Sequence, residues 1–370
     1  MSGRDNGASR FVRRPIVSLP PEAIGGCPAS SSSVTILGRR CLLRRAARQQ
    51  VWSCALMGVR RNVSSTERGE FVQPNDWAKL VSTTTDDGVT LHGALYAEAG
   101  EGESPASSTR PVDVVLAWHG VGGNFYSGRM FAALRESLQA QGVALLCANT
   151  RGHDLMYTAA VGGKPKRLGA AYEIVDECRH DLRAWVGWLG RHGLERVGLL
   201  GHSLGAIKAI YAQAAESLPG VRRLISLSAP SLTQRRLLGS AMGDRFREDC
   251  DVARRLIEAG RPDELFEARV PFPLLISAAA HQDKYGPADR YDILAALPKL
   301  ETRSLLMYGS LELPSPNGAF ANLPEQIEQL GNARQCLTVE VMRGADHFYS
   351  GRHAAVASRV SNWLFETVDD

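Results

Sequence analysis

The sequence lacks any run of about 18 uninterrupted apolar residues, the length that a membrane-spanning helix needs, so we predict no membrane span. It also lacks a C-x-x-C pair and any cluster of cysteine and histidine, so we predict no metal site. Its seven cysteines are scattered and odd in number, and Cys147 lies in an apolar run that is typical of a core. This cysteine usage favours a reducing compartment, and we expect a cytoplasmic protein.

Lysine is missing from residues 1–75, which contain twelve arginines and four acidic residues and therefore carry a formal charge of +8. The remaining 31 basic and 35 acidic residues give residues 76–370 a charge of −4. A mildly acidic domain lacks the basic surface that phosphate binding needs. We therefore do not expect nucleic acid as a partner.

Residues 1–75 are rich in arginine and serine and show no sustained hydrophobic periodicity. We interpret them as a disordered extension that takes no part in catalysis. Two alternatives stay open. The composition is also typical of an organellar transit peptide, which would make the protein organellar. The segment could equally be upstream sequence, with Met57 as the true start.

From residue 76 onward, β-branched and apolar runs alternate with helical spacing. A hairpin is predicted at 79–85 and 89–96, around Asp86-Asp87-Gly88. Further strands are predicted at 112–118, 143–148, 196–200, 224–227, 304–308 and 337–342, and helices at 127–141, 171–189, 205–215 and 354–367. The alternation predicts an α/β domain over 76–370, with a mostly parallel sheet and helices on both faces.

The alternation stops between residues 230 and 300, where the sequence is helical, charged and irregular, with 273–277 as the one strand candidate. We predict that this insertion is a lid over the carboxyl ends of the strands, where α/β sheets bind ligands. Four arginines in it have two interpretations: a contact with an anionic substrate, or a solvated helix face. They are Arg235, Arg236, Arg245 and Arg247.

The segment Gly201-His202-Ser203-Leu204-Gly205 matches G-x-S-x-G, with a predicted strand directly before it and a predicted helix directly after it. A serine on such a sharp turn adopts a strained backbone conformation, and flanking glycines let the strand and the helix approach. The start of the helix directs N–H groups at the serine oxygen. We predict Ser203 as a nucleophile.

A serine nucleophile needs hydrogen-bond donors for the oxyanion that develops during attack. We predict the N–H of Leu204 as one donor. The other is expected in the segment His119-Gly120-Val121-Gly122-Gly123-Asn124, which follows a predicted strand, with the N–H of Val121 as the donor. Phosphate binding is the alternative for a glycine-rich loop, but no Walker lysine follows this one.

An acid and then a histidine base follow the nucleophile in chain order in enzymes with this elbow. We predict His347, between the last strand and the last helix, as the base, and Glu312, after the strand at 304–308, as the acid. Asp346 is a poor acid because it adjoins the base. Asp283 is the fallback if 273–277 is the preceding strand of the main sheet. We interpret His202 as structural and expect His119 to shape the loop that contains Val121.

Together, His119-Gly120, the elbow at Ser203, Gly309-x-x-Glu312 and Gly344-Ala345-Asp346-His347 resemble the α/β-hydrolase superfamily over about residues 78–370. More narrowly, Asn149-Thr150-Arg151-Gly152-His153-Asp154, together with the elbow continued to Lys208, resembles a poorly characterised esterase-like group that includes fungal siderophore-ester hydrolases. The resemblance implies an α/β-hydrolase fold and a cofactor-free acyl transfer to water, with a small-molecule ester as substrate.

The same triad serves other reactions, so the alternatives are an acyltransferase, a thioesterase, an amidase or a lactonase. Outside the enzymes, some proteins with this fold bind a ligand with slow or absent turnover. A fluorophosphonate, which labels an active serine covalently, separates an enzyme from a simple binder.

Overall fold

The structure is a computed structural model that describes residues 78–97, 110–331 and 336–366. The predicted extension over residues 1–75, and with it the three interpretations of that segment, lies outside the described residues. No helix in the described ranges has both the length and the apolar composition required to cross a membrane.

The described residues form twelve strands and nine α-helices. The strands are β1 (Lys79–Thr84), β2 (Thr90–Tyr96), β3 (Val114–Trp118), β4 (Ala144–Ala148), β5 (Tyr157–Val161), β6 (Lys164–Leu168), β7 (Val197–His202), β8 (Val221–Leu227), β9 (Leu265–Ala268), β10 (Leu274–Ser277), β11 (Arg303–Gly309) and β12 (Leu337–Met342). The helices are α1 (Arg129–Gln139), α2 (Cys178–Arg191), α3 (Leu204–Glu216), α4 (Gln234–Leu238), α5 (Gly243–Glu258), α6 (Ala278–Tyr285), α7 (Ile293–Ala296), α8 (Leu323–Gly331) and α9 (His353–Phe365).

Eight of the strands form one sheet, in the order β1-β2-β4-β3-β7-β8-β11-β12. The strands from β4 to β12 in that order are parallel, whereas β2 is antiparallel to both β1 and β4. Strands β3, β4 and β7 are buried along their whole length, as expected of parallel strands covered on both faces. The predicted parallel sheet is confirmed.

Alternate residues of the central strands enter two different cores. Leu200 packs in one core with Leu134 of α1 and Trp363 of α9. Its neighbour Leu199 packs on the opposite face with Trp185 of α2. Because successive side chains of a strand point to opposite faces, the sheet holds helices on both sides. Cys147 is buried in β4, as predicted.

Helix α2 begins later than predicted. The prediction started the helix at residue 171, but α2 starts at Cys178, after a 3₁₀ turn at Val175–Glu177. The backbone N–H of Val175 donates to Asp283, and the carbonyl of Ala171 accepts from the N–H of Ser277. These contacts with the insertion occupy backbone groups that a longer helix would use, so tertiary contacts override local helix propensity.

A hairpin of β5 and β6, to which the sequence analysis assigned no element, turns at Gly162 and Gly163. Both glycines have positive φ, 58° and 76°, as a tight two-residue hairpin turn requires.

The insertion contains helices α4 to α7 and a second hairpin, β9 with β10. The predicted strand at 273–277 therefore exists, but it pairs with β9 and not with the main sheet. The main-sheet strand that follows β8 is β11. The hydrophobic core of the insertion is continuous with the face of the sheet that α3 covers, since Phe246 and Tyr285 cluster with Ile207.

Candidate active site

Ser203 lies on the turn between β7 and α3, with a φ of 56°. A non-glycine residue in this left-handed region is strained and persists only where the surroundings fix it. A Cβ atom at Gly201 would lie 2.2 Å from the carbonyl oxygen of Gly205, and one at Gly205 would lie 2.4 Å from the carbonyl oxygen of His119. Both positions therefore require glycine, and the elbow forms at the predicted place.

The structure brings the three predicted triad residues together. Nε2 of His347 lies 3.0 Å from Oγ of Ser203, and Nδ1 of His347 lies 2.6 Å from Oε2 of Glu312. The three residues are far apart in sequence but follow β7, β11 and β12, whose carboxyl ends share one edge of the sheet. The arrangement can pass a proton from the serine to the imidazole and hold the imidazole in one tautomer.

Glu312 is buried, and both of its carboxylate oxygens have hydrogen-bond partners. Oε1 accepts from Oγ of Ser228 at 2.7 Å and from the N–H of Gly309 at 2.8 Å, which leaves Oε2 for the imidazole. Oγ of Ser228 also lies 3.0 Å from the hydroxyl of Tyr349. These partners fix the carboxylate in the orientation that His347 needs.

The carboxylates of the two alternative acids, Asp283 and Asp346, accept hydrogen bonds from groups other than the imidazole of His347. Asp283 accepts hydrogen bonds from the N–H of Val175 and the hydroxyl of Tyr291. Its candidacy depended on a main-sheet strand at 273–277, and that condition is wrong. Asp346 accepts from two backbone N–H groups of its own turn, at positions 348 and 350.

His202 and His119 are both buried, and burial lowers the pKa of each to about 3, so both are neutral near pH 7. Nε2 of His202 donates to the carbonyl of His347 at 2.8 Å, which supports the turn that carries that residue. Nδ1 of His119 donates to the carbonyl of Gly120, and its Nε2 accepts from the N–H of Thr150. Both ring nitrogens of His119 are thus occupied by backbone groups, which suits a loop-shaping residue and not a base.

The loop 119–124, which contains the predicted oxyanion donor Val121 and is called the oxyanion loop below, lies directly against Ser203. A Cβ atom at Gly120 would lie 3.0 Å from Cβ of Ser203, so this backbone approaches closely because it has no side chain there. The N–H of Gly123 donates to the carbonyl of Gly120 at 3.2 Å and closes the loop. The N–H of Val121 belongs to the same peptide group as the Gly120 carbonyl. The N–H of Leu204, the other predicted donor, belongs to the first residue of α3.

The four arginines of the insertion separate into two pairs. Arg235 and Arg236 line a cavity of 660 Å³ that is also lined by Gly318 and Asn322. The guanidinium of Arg236 also donates to the carbonyl of Ala321 at 2.5 Å. The other two, Arg245 and Arg247, lie on α5, where Arg247 pairs with an exposed aspartate of its own helix.

One group of possible metal ligands occurs among the described residues: Asp86, Asp87 and His180. Asp87 receives two hydrogen bonds from Arg151, and Asp86 receives one from Arg183. Although burial opposes them, the guanidinium of Arg151 and the hydroxyl of Thr85 hold the pKa of Asp87 well below its usual value. The cluster is therefore part of an ion-pair network in which Arg151 and Arg183 supply the positive charge.

Three features near the site were not anticipated from the sequence. Oγ of Ser228 donates to Glu312, and nothing in the local sequence marks this serine for a φ of 55°. Asp154, with a φ of 53°, contacts the oxyanion loop. Glu173 forms a buried ion pair with Lys208 and another with Lys284. Lys208 lies in the apolar first part of α3, at 204–210, and a lysine in such a run is a sequence signal of a buried acidic partner.

A sequence model described as Alpha/beta hydrolase family matches residues 114–359, which is more than half of the chain. Among solved structures, the chain is similar to the alpha/beta hydrolase GrgF from Penicillium sp. sh18, with 16% identity over 78% of this chain and 97% of that one, and a TM-score of 0.54. It is also similar to Est1E from Butyrivibrio proteoclasticus, solved with ferulic acid bound, with 16% identity over 78% of this chain and 99% of that one, and a TM-score of 0.51. No curated protein matches the chain. At these identities the likeness shows the fold, and the predicted fold is confirmed.

Proposed function

The chain belongs to the alpha/beta hydrolase family, and on that premise we propose that it is a serine hydrolase that cleaves a carboxylic ester of a small molecule. The observation that carries the proposal is the chain of contacts from Ser203 Oγ to His347 Nε2, at 3.0 Å, and from His347 Nδ1 to Glu312 Oε2, at 2.6 Å. A nucleophile within reach of a base that is itself oriented by an acid is the arrangement that acyl transfer requires.

In the proposed mechanism, Oγ of Ser203 attacks the ester carbonyl while Nε2 of His347 accepts the serine proton. The N–H groups of Val121 and Leu204 stabilise the oxyanion. The imidazolium then donates its proton to the leaving alcohol, and an acyl-enzyme forms on Ser203. Water, activated by His347, attacks the acyl group, and the serine recovers its proton.

Glu312 stabilises the imidazolium through Nδ1 and remains a carboxylate throughout. Its two partners on Oε1, Ser228 and Gly309, support this role because they leave Oε2 free to accept from His347. Apart from the ester and water, the proposed steps use only side chains and backbone groups of this chain.

We assign to the insertion, residues 230–300, the role of a lid that selects the substrate. The 660 Å³ cavity supports this assignment because it lies between α4 and the segment 318–326. Phe320, in that segment, has its ring 5.4 Å from the ring of His347. A cavity of this size suits a small ligand.

The test is hydrolysis of p-nitrophenyl acetate and butyrate by the purified protein and by its Ser203→Ala variant. We expect the variant to lose about 10⁴- to 10⁶-fold in kcat. The matched control is Ser137→Ala, on the half-buried face of α1 distant in sequence from every proposed catalytic group, and it should hydrolyse at the wild-type rate. Hydrolysis that survives in Ser203→Ala would contradict the proposal.

A further inference from the structure

The segment Asn149–Asp154 follows β4 and lies beside the oxyanion loop, yet the mechanism above gives it no role. Its contacts with that loop and the residues just after it are extensive. Oδ1 of Asn149 accepts from the N–H of Phe125 at 2.9 Å. The N–H of Thr150 donates to Nε2 of His119 at 3.2 Å. The segment therefore holds the loop region at both of its ends.

Asp154 makes the largest set of these contacts. Its Oδ1 accepts from Nδ2 of Asn124 at 2.7 Å, and its Oδ2 accepts from the hydroxyl of Tyr126 at 2.6 Å. Its backbone N–H donates to the carbonyl of Gly123 at 3.0 Å. One residue thus reaches three neighbouring positions, 123, 124 and 126, from its carboxylate and its backbone.

The backbone of Asp154 is itself unusual, with a φ of 53° in the region that favours glycine. An aspartate is strained in this conformation, and such strain persists where the surrounding contacts fix it. Hydrogen bonds from Tyr126 and Asn124 hold the pKa of Asp154 below its usual value although partial burial opposes them, so the bridge is a carboxylate at neutral pH. The same contact raises the pKa of Tyr126 to about 12, which keeps its hydroxyl a donor.

The peptide between Gly120 and Val121 is the part of the loop that matters for chemistry. Its carbonyl accepts from Nδ1 of His119 at 2.9 Å and from the N–H of Gly123 at 3.2 Å. A peptide group is planar, and its C=O and N–H point in opposite directions. Fixing the Gly120 carbonyl therefore fixes the direction of the Val121 N–H, which is the proposed oxyanion donor.

We propose that Asp154 is a positioning residue for the oxyanion hole. Its carboxylate bridges Asn124 and Tyr126, and its backbone N–H binds the carbonyl of Gly123. Together these contacts hold the N–H of Gly123 on the Gly120 carbonyl and so keep the Val121 N–H aimed at the reacting oxygen. The inference rests on the proposed hydrolase function and extends it to a residue that touches no substrate. Glycine would adopt the left-handed conformation at this position without strain, so the backbone alone does not explain why an aspartate is present. The bridge to Asn124 and Tyr126 does explain it.

Two substitutions at this position separate the carboxylate from the backbone. Asp154→Gly adopts the left-handed conformation freely and keeps the backbone contact with Gly123, while it removes the carboxylate, with its bridge and its contact to Nδ1 of His153. Asp154→Asn keeps one acceptor for Asn124 and replaces the oxygen that accepts from Tyr126. A third variant, Tyr126→Phe, removes one hydroxyl from a ring that is 63% exposed, so it leaves the fold intact.

The measurements are kcat and KM on p-nitrophenyl butyrate and the Ki of an alkyl trifluoromethyl ketone, which forms a tetrahedral adduct with an active serine. Displacing one oxyanion donor weakens binding of the tetrahedral species and leaves binding of the ester unchanged, so we expect kcat to fall about tenfold or more in Asp154→Gly, with KM nearly constant. Ki should rise by the same factor as kcat/KM falls. Asp154→Asn and Tyr126→Phe should lie between Asp154→Gly and the wild type.

Wild-type kcat and Ki in a folded Asp154→Gly variant would overturn the proposal, and so would a fall in kcat without a matching rise in Ki. If Asp154→Gly fails to fold, as its thermal melt would show, Tyr126→Phe decides, and wild-type values in that variant overturn the proposal. Ser203→Ala, measured in parallel, separates the two hypotheses: activity in that variant refutes the hydrolase, whereas these outcomes refute only the role of Asp154.

Discussion

Two regions of the molecule are rich in charged and polar side chains but use them differently. The serine region consists of Ser203, Ser228, Glu312 and His347. The α5 surface consists of Asp244, Arg247, Asp251, Arg254 and Glu258. In the serine region, the side chain of Glu312 is 3% exposed and both of its oxygens are engaged. On the α5 surface, the side chain of Arg254 is 59% exposed and pairs with acids one turn away.

Burial, and not the number of charges, decides how much a polar group contributes to stability and to the geometry of a site. An exposed ion pair exchanges one set of hydrogen bonds with water for another and contributes little. A buried carboxylate whose partners are removed has no water to replace them.

The largest effect is expected for Glu312→Gln. The amide that replaces Oε2 can no longer accept from Nδ1–H of His347, so the imidazole loses the tautomer that directs its Nε2 lone pair at Ser203. We expect kcat for p-nitrophenyl butyrate to fall by about 10³- to 10⁴-fold with little change in thermal stability. The same substitution on the α5 surface, Glu258→Gln, should leave kcat unchanged. Equal kcat values for Glu312→Gln and Glu258→Gln would contradict the contrast between the buried and the exposed carboxylate.

A second prediction concerns a buried carboxylate outside the triad. Glu173 lies between Lys208 and Lys284, and these lysines hold its pKa below the usual value although burial opposes them. Glu173→Gln leaves two buried ammonium groups without a counter-charge, so we expect the free energy of unfolding to fall by about 3–5 kcal/mol in urea titrations.

Glu258→Gln is again the matched control, and its urea midpoint should equal that of the wild type. A Glu173→Gln variant as stable as Glu258→Gln would show that the buried ion pairs contribute nothing net to the fold.

A third prediction uses pH, because the insertion also contains a buried histidine. His281 lies against Phe246, Phe266 and Tyr285, and burial lowers its pKa to about 4 although Asp249 opposes this. Between about pH 6.5 and 4 the unfolded chain binds a proton on this histidine and the native chain does not, so the stability falls as the pH falls.

The expected slope from His281 is about 1.4 kcal/mol per pH unit within that window. His281→Phe keeps the aromatic packing and removes the proton, so its urea midpoint should fall less between pH 7 and pH 5 than that of the wild type. The same fall in both proteins would contradict the assignment.

The smallest effect is expected for Arg254→Ala, which removes two exposed ion pairs from the α5 surface. Because water solvates the freed acids, the Tm and the kcat should both stay at the wild-type values. A clear fall in Tm, measured by calorimetry, would mean that this surface is not the solvated face that its exposure indicates.

The sequence was sufficient to predict the main sheet and the sharp turn on which Ser203 lies. Strands β3, β4 and β7 are continuous apolar runs, and the glycines around Ser203 are demanded by close backbone approach. The β5–β6 hairpin could also have been predicted, since Gly162-Gly163 is a two-residue turn signal between two short segments.

Other features depend on partners distant in sequence and could not be predicted. Ser228 meets Glu312 across 84 positions, and Asp154 meets Asn124 across 30. Serine and aspartate at positive φ carry no local signal, because the strain is tolerated only once those partners are in place. The start of α2 at Cys178 depends likewise on contacts with the insertion.

The central claim, that Ser203 is an activated nucleophile, is tested most directly by covalent labelling of the purified protein with a fluorophosphonate, followed by peptide mass analysis. We expect one adduct, on the peptide that contains Ser203, with no labelling in Ser203→Ala and much slower labelling in Glu312→Gln. A folded protein that takes up no label, or that carries the adduct on another residue, would contradict it.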